Sequence, residues 1–288
     1  MNALKVTFLL LVLTGLFVAV GYLLGGRQGM IIAFGLAVVM NFASYWFSDK
    51  IVLAMYRARP ATEQADGKLI RIVRMTTQRA NLPMPKVYII PTQAPNAFAT
   101  GRNKDHAAVA VTEGILGILS GDELEGVIGH ELAHVRNRDI LLGSVVATIA
   151  GAIGILATMA RWGAIFGGFG GRSDERGGGN PLVLLAVAIV APLAALVVQT
   201  AISRSREYKA DRIGASISGK PLALASALEK LHRAPVRLNL DQRPATAHLF
   251  IANPLSGRGI ANLFSTHPPY QERIKRLQAL TMTGMPLA

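Results

Sequence analysis

Four long segments of the chain carry no charged side chain, and this feature restricts the possible folds more than any other. They cover residues 6–26, 28–48, 140–160 and 181–202. Each has about 21 residues, and at about 1.5 Å per residue a helix of that length crosses a hydrocarbon core of about 30 Å. We therefore predict four transmembrane helices in two pairs, with a turn at residues 25–27 inside the first pair.

The composition agrees with a membrane protein. Hydrophobic residues make up 51% of the chain and charged residues 16%, with a mean hydropathy of +0.37, which is too apolar for an ordinary soluble domain. The first segment is longer than the apolar part of a signal peptide and lacks a clear cleavage site, so we expect a retained helix. The chain has no cysteine, which excludes disulfides and thiolate-bound zinc and leaves histidine and carboxylate ligands.

The positive charges predict the orientation of the chain. The formal net charge is +13, and 26 of the 30 Lys and Arg residues lie in the amino terminus, residues 49–139 and residues 203–288. Because basic loops stay on the cytoplasmic side, we expect both termini there. The basic residues do not alternate with aromatic residues in a stacking pattern, so we expect a lipid bilayer, and no nucleic acid, as their partner.

The expected fold is mostly α: four transmembrane helices and a cytoplasmic α+β domain with a small β-sheet. The parts are a transmembrane hairpin (1–48), a first cytoplasmic part (49–139), a second transmembrane pair with a Gly-rich outer loop at 161–180 (140–202), and a second cytoplasmic part (203–288). Within the cytoplasmic parts, apolar spacing predicts strands at 86–90 and 107–112 and helices at 69–81, 221–232 and 270–280.

The first cytoplasmic part contains the sequence His-Glu-Leu-Ala-His at residues 130–134. Residues four apart lie on one face of a helix, so His130 and His134 can both direct an imidazole nitrogen at one metal ion. Glu131 lies at the edge of that face, where it can reach a metal-bound water as a general base. The pattern is typical of zinc peptidases, and the alternative is a helix with two surface histidines and a solvated glutamate.

A zinc centre with two histidines needs a third protein ligand, often a glutamate from a separate helix. Glu207 is the best candidate, because it follows the fourth span on a predicted helix that returns to the same side of the membrane. Asp211 lies one turn later and could accept a hydrogen bond from the second nitrogen of His130 or His134, fixing its tautomer. The alternative is a solvated helix whose carboxylates balance the basic residues around them.

Asn96, Ala97, Phe98 and Ala99 form a candidate substrate-binding stretch between the two predicted strands. Asn96 suits a turn, and the small residues after it suit an edge strand that another backbone can approach. A peptide could pair with such an edge by strand addition. The alternative is an ordinary turn and strand without a ligand.

His267, just before the last predicted helix, is the candidate for stabilising the oxyanion or approaching the metal. Arg206 and Tyr208, on either side of Glu207, are weaker candidates for the oxyanion role.

Together these features resemble the HtpX membrane metallopeptidases, relatives of the CAAX prenyl proteases. The resemblance covers nearly the whole chain and rests on the hydrophobic segments and on residues 96–99, 130–134, Glu207, Asp211 and 266–268. It implies a zincin-like protease domain with one Zn²⁺ ion in a bacterial inner membrane, facing the cytoplasm. It also implies that residues 96–99 bind substrate backbone near the zinc, and that the protein clears misfolded or damaged membrane proteins in a stress response.

Two other classes of function stay open at this point. A four-helix metal transporter would need ionisable residues within its spans, and the four uncharged segments contain none. A catalytically silent scaffold would not need Glu131, which is present. Neither the substrate preference nor the oligomeric state follows from the sequence.

Overall fold

The structure, a computed structural model, describes residues 2–146, 148, 204–234 and 268–282. Its elements in chain order are α1 (Asn2–Trp46), α2 (Ser48–Met55), β1 (Arg59–Pro60), α3 (Glu63–Arg79), β2 (Lys86–Ile90), β3 (Ala97–Gly101), a 3-10 turn (Lys104–His106), β4 (Ala107–Thr112), α4 (Glu113–Ile118), α5 (Gly121–Arg136), α6 (Arg204–Ser218), α7 (Pro221–Arg233) and α8 (Tyr270–Met282). The described fold is therefore mostly helical with one small sheet, as predicted.

Helix α1 folds back on itself. The Asn41 side chain donates a hydrogen bond of 3.2 Å to the carbonyl oxygen of Leu10, 31 residues earlier, whereas a straight helix would separate these residues by about 46 Å. Gly26 has a φ of +57°, a conformation that glycine adopts without steric cost. A Cβ on Gly21 would lie 2.5 Å from the carbonyl oxygen of Gly29, so the two arms touch beside the bend. The chain therefore reverses inside the predicted turn.

One candidate membrane span lies within the described residues. Gly26–Trp46 has 21 residues, and an 18-residue window within it has a mean hydropathy of 1.6 and is 11% buried. Leu4–Ala19 is a shorter apolar helix. Residues 140–146 are helical and begin the predicted third span, while most of the remainder of that span and the whole of the fourth, at 181–202, lie outside the described residues. The predicted number of four spans is therefore not confirmed.

The surface of α1 has a packed side and an exposed side. The packed side contacts helical residues 140–146 through Val6, Leu9, Leu13, Leu142, Val145 and Val146. The exposed side carries large apolar side chains, including Phe8, Leu11, Ile31, Ile32, Phe34, Val39 and Phe42. Lipid chains would cover an exposed apolar surface of this kind in a membrane protein.

The sheet has the strand order β1-β2-β4-β3. β2 and β4 are parallel, and β1 and β3 pair antiparallel at the two outer positions. β2 and β4 have the predicted bounds, and β3 is the predicted edge strand. All six residues of β4 are buried, because α3 and α5 cover one face of the sheet and α2 covers the other. In this packing, α5 contacts β3.

Helix α3 begins earlier than the apolar spacing predicts. Its first residue is Glu63, and the hydroxyl of Thr62 caps it by accepting a hydrogen bond of 3.3 Å from the backbone N–H of Ala65. The first turn of α3 is polar, and the buried residues of the helix, including Leu69 and Val73, begin only after it. The apolar spacing therefore does not indicate where the helix starts. Helices α7 and α8 extend one and two residues past their predicted ends.

The start of α5 is anchored through Glu123. This residue and Ser120 form a capping box, in which the Glu123 carboxylate accepts a hydrogen bond of 2.7 Å from the Ser120 N–H. The same carboxylate accepts bonds from Ser226 at 2.7 Å and Lys230 at 2.8 Å on α7. Burial would raise the pKa of Glu123, but these donors lower it to about 2. Glu123 therefore ties the start of α5 to α7 as a carboxylate.

We expect Glu123→Gln to lower the free energy of unfolding by about 1–2 kcal/mol at pH 7, because it removes hydrogen bonds to a charged group. The folded pKa is depressed, so this stabilisation is present above the ordinary value of about 4.3 and is lost as the pH falls towards 2. Unfolding at pH 7 and pH 2.5 measures the difference. Glu229→Gln, which removes an exposed ion pair with Arg233, is the control, and an equal loss there would contradict the prediction.

Candidate metal centre

Helices α5 and α6 cross with their backbones in contact. A Cβ on Gly214 of α6 would lie 2.6 Å from the backbone nitrogen of His130 and 2.7 Å from its Cα. A Cβ on Gly129 of α5 would lie 2.7 Å from the carbonyl oxygen of Gly214. Real Cβ atoms do not approach backbone atoms so closely, so the crossing requires glycine at both positions. It brings the carboxylates of α6 next to the histidines of α5.

Three side chains with metal-binding atoms converge at this crossing. The Nε2 atoms of His130 and His134 are 3.2 Å apart. Glu207 of α6 lies with Oε1 3.5 Å from Nε2 of His134 and Oε2 3.7 Å from Nε2 of His130. His130 and Glu207 are buried, and His134 is partly buried. The structure thus brings together the three residues that the sequence predicts as metal ligands.

The spacing of these atoms fits a zinc ion. Bonds of about 2.0–2.2 Å to a tetrahedral zinc ion place neighbouring donor atoms about 3.3–3.6 Å apart. The two Nε2 atoms are 3.2 Å apart, and each lies 3.5–3.7 Å from one of the two carboxylate oxygens of Glu207. Two imidazole nitrogens and one carboxylate are also a donor set that zinc accepts in proteins. Within the described part of the chain, this is the group of His and acidic residues that could hold a metal ion.

A carboxylate faces the far nitrogen of each histidine. Nδ1 of His130 lies 2.9 Å from Oδ1 of Asp211, and Nδ1 of His134 lies 3.4 Å from Oδ2 of Asp139. Such partners hold the proton on Nδ1 and leave the Nε2 lone pair for a metal. The sequence predicts Asp211 as the hydrogen-bond partner of either histidine, and in the structure it faces His130. The sequence analysis missed Asp139, which lies in the turn just after α5, where its N–H bonds to the carbonyl of His134.

Charge in the metal-free site favours protonation of His134. Burial would lower the pKa of His134, but the hydrogen bond to Asp139 and the charges of Glu207 and Glu131 raise it to about 9. The site without metal therefore keeps a proton on His134 at neutral pH. A metal ion must displace that proton, since a histidine ligand binds with a free nitrogen lone pair.

Glu131 is held by the edge strand. Its Oε2 accepts a hydrogen bond of 2.8 Å from the backbone N–H of Ala99 on β3. Burial raises the pKa of Glu131, and the charges of His130 and His134 together with the Ala99 N–H oppose that rise. The side chain lies beside the histidine pair without being part of the three-donor group, which is the arrangement expected of a base acting on a metal-bound water.

The predicted substrate-binding residues lie on and next to β3. Asn96 is fixed to β4, because its backbone N–H donates to the hydroxyl of Thr112 and its carbonyl accepts from the Thr112 N–H. Ala97 and Ala99 face the core that includes α5. Phe98 faces the opposite core, beside Tyr56 and α2. The alternation means that Ala97 and Ala99, but not the Phe98 side chain, face α5.

The three candidates for the oxyanion differ in their surroundings. His267 lies outside the described residues. Arg206 is partly buried, and its Nη2 has no hydrogen-bond partner within the described structure. Tyr208 instead lies under the guanidinium of Arg276, 3.8 Å from the ring centroid, on the side of α6 that faces α8. Of the two described candidates, only Arg206 has a spare buried donor.

Arg273 of α8 is a residue of this centre that the sequence analysis missed. It is only 1% exposed, and its guanidinium donates to both carboxylate oxygens of Asp211, at 2.7 and 2.8 Å. The sequence does indicate its burial, because Arg273 lies on the same face of the helix as Leu277 and Leu280, which is otherwise apolar. A charged residue there indicates a buried ionic partner.

Comparisons with known proteins agree with this geometry. The sequence model of peptidase family M48 matches residues 63–281. The chain is 59% identical over 280 residues to "Protease HtpX homolog" of Syntrophobacter fumaroxidans, which covers 96% of this chain and 98% of that protein. It is 54% identical over 271 residues to the protein of the same name from Pyrococcus furiosus, covering 94% and 93%.

A solved structure is also similar. The crystal structure of S. mikatae Ste24p aligns with a TM-score of 0.49 and 18% sequence identity, covering 93% of this chain and 62% of that longer one. The family match spans residues 63–281 and so includes residues 130–134, and the two relatives cover 96% and 94% of this chain. The chain therefore belongs to peptidase family M48 and is a membrane metallopeptidase of that family.

Proposed function

We propose that this protein is a zinc-dependent endopeptidase that hydrolyses peptide bonds of misfolded or damaged membrane proteins at the cytoplasmic face of a bacterial inner membrane. The observation that carries the proposal is the convergence of His130, His134 and Glu207 beside a buried Glu131. These three side chains would hold one Zn²⁺ ion. Asp211 keeps His130 in the tautomer that a metal requires.

The residues of the centre divide the chemistry among them. Zinc bound here would polarise the scissile carbonyl and lower the pKa of its water towards about 7. Glu131 takes the proton from that water on Oε1, because the Ala99 N–H occupies Oε2, and later gives it to the leaving amine. His267 steadies the oxyanion in this scheme. Arg206 is the alternative, because its buried Nη2 has no hydrogen-bond partner among the described residues.

The substrate lies along β3 in this proposal. The backbone groups of Ala97 and Ala99 point away from β4, because pairing alternates along β3, and the Ala99 N–H bonds to Glu131 instead. An extended peptide could therefore add as a further strand along this edge of β3, close to Glu131. Strand pairing depends on backbone groups, so it suits unfolded segments of many sequences. This supports misfolded chains as substrates.

The location rests on charge and apolar surface. The described span Gly26–Trp46 and the exposed apolar side of α1 fit a bilayer. The side that would hold both termini and the metal centre carries 26 of the 30 Lys and Arg residues, which supports a cytoplasmic orientation. The same distribution supports contact with anionic lipid headgroups.

We expect the detergent-solubilised protein to cleave unfolded casein, to lose this activity on chelation, and to regain it when zinc is added. His130→Ala should lose both bound zinc and cleavage, because two remaining ligands hold zinc poorly. Release of peptides measures turnover, and metal analysis of the purified protein measures zinc content.

His106→Ala is the matched control, because His106 is exposed and bonds only near the surface, to Arg102 and Asn103. It should keep both zinc and cleavage. Cleavage that survives both chelation and His130→Ala would contradict the proposed metal dependence. Zinc-loaded wild-type protein that cleaves neither casein nor a misfolded membrane protein would contradict the proposed endopeptidase activity.

A further inference from the structure

Arg273 contacts three members of the candidate metal centre at once. Its Nε and Nη2 form a two-pronged bond to Asp211. Its Nη1 lies 3.8 Å from Oε2 of Glu207, and its Nη2 lies 3.5 Å from Nδ1 of His130. One planar group therefore touches a predicted zinc ligand, the far nitrogen of a second ligand, and the carboxylate that orients that second ligand.

The position of Arg273 differs from that of the other basic residues on its helix. Arg276 is 55% exposed at its side chain and pairs with Glu272 on the same helix. Arg273 is almost fully buried, and a buried guanidinium is costly unless carboxylates surround it. Among the described residues, the carboxylates of Asp211 and Glu207 lie within 3.8 Å of its guanidinium, so the metal centre balances its buried charge.

We infer that Arg273 is a positioning residue that sets the affinity of the metal centre by fixing Asp211 and Glu207; the inference rests on the proposed function. Asp211 can hold the Nδ1 proton of His130 only while its own carboxylate is fixed, and the Arg273 fork fixes both of its oxygens. The attraction between Nη1 and Oε2 of Glu207 sets how that carboxylate presents its oxygens to the histidines. Arg273 thus acts through two neighbours and does not touch the substrate.

Arg273 links the metal centre to the last described helix. Arg273 and His130 are 143 residues apart, and Arg273 lies on α8, the last helix described. α8 packs on α7 and α6, with Tyr270 stacked on His232 at 3.7 Å and Leu277 fully buried. The metal centre therefore reaches its full affinity only when this last helix is in place.

The test compares Arg273→Gln and Arg273→Lys with Arg276→Gln as the matched control. Zn²⁺ affinity is measured by competition with a chelator, and unfolding of the metal-free protein is measured separately. We expect Arg273→Gln to weaken zinc binding about 10- to 100-fold, the usual effect of losing a partner of a metal ligand. Arg273→Lys keeps the charge but loses the paired hydrogen bonds to Asp211. It should therefore fold, and it should bind zinc about 10-fold more weakly than wild type. Arg276→Gln should bind as tightly as wild type.

A double variant separates positioning from simple helix docking. If Arg273 acts through Asp211, Arg273→Gln combined with Asp211→Asn should weaken zinc binding no more than the larger single change. Zinc affinities in folded Arg273→Gln and Arg273→Lys that equal the wild-type value would overturn the inference. So would an equal loss in Arg276→Gln, because this would point to docking of α8 alone. Failure of the wild-type protein to bind zinc would instead overturn the proposed function.

Discussion

Glutamine in place of Glu131 is expected to reduce turnover by about 10²- to 10⁴-fold, the usual contribution of a general base, while zinc binding is unchanged. The three-donor group does not include Glu131, so the metal ligands keep their positions. The amide oxygen of glutamine can still accept the Ala99 N–H that Oε2 accepts now. The side chain therefore stays in place and loses only its ability to take a proton.

The stability of the Glu131→Gln protein should change in the opposite direction from its activity. Burial raises the pKa of Glu131, which means that its surroundings disfavour the charged carboxylate. Removing that charge should leave the melting temperature of the metal-free protein equal to or above that of wild type. Loss of activity would then not be a result of unfolding.

Casein cleavage, zinc content and melting temperature of the two proteins test this prediction. Glu125→Gln is the control, because Glu125 is a buried carboxylate on the same helix that pairs with Arg79 and Lys220, away from the metal centre. That variant should lose stability and keep turnover. Proteolysis retained in Glu131→Gln would show that Glu131 is not the base.

The part of the site that could be predicted from sequence is the part that local helix geometry determines. His130, Glu131 and His134 are fixed relative to one another by one turn of helix, so no tertiary information is needed. The strands at residues 86–90 and 107–112 were predictable for a similar reason, because short apolar runs bounded by prolines and polar turns indicate strands. Glu207 needed an additional chemical argument, namely that two histidines require a third ligand.

The rest of the site depends on contacts between distant segments. The Ala99 N–H is a backbone group, and nothing in the sequence indicates that Glu131 takes it. Asp139 reaches His134 because the chain turns at Arg138, which has a φ of +58°, and a positive φ at arginine is not predictable from residue type. Arg273 could be suspected from its place on an apolar stripe, but its partners could not.

The two glycines at the helix crossing show why local sequence preference does not predict tertiary packing. Within a helix, glycine is destabilising by about 1 kcal/mol relative to alanine, so Gly129 and Gly214 look like weak points in the sequence. In the structure each occupies a place where a Cβ would meet the backbone of the other helix. Local preference and tertiary packing point in opposite directions here, and packing decides the residue.

Alanine at Gly214 is therefore expected to damage both the fold and the metal centre. Its Cβ would stand 2.6 Å from the backbone nitrogen of His130, and backbone atoms cannot turn away as a side chain can. α6 must move by several tenths of an ångström or more, which should lower the free energy of unfolding by about 1–3 kcal/mol. The same shift carries Glu207 away from the two histidines, and misplacement of a catalytic group by about 1 Å can cost about 10²-fold in turnover.

Gly117→Ala is the control that separates these effects from helix propensity. Gly117 lies in α4, and a Cβ there would meet nothing within 4 Å, so alanine should be neutral or stabilise by up to about 1 kcal/mol. Melting temperature, zinc affinity and casein cleavage are measured for both variants. A Gly214→Ala protein with wild-type zinc affinity would mean that α5 and α6 can separate without moving Glu207. The position of the third ligand would then not depend on the close crossing of the two helices.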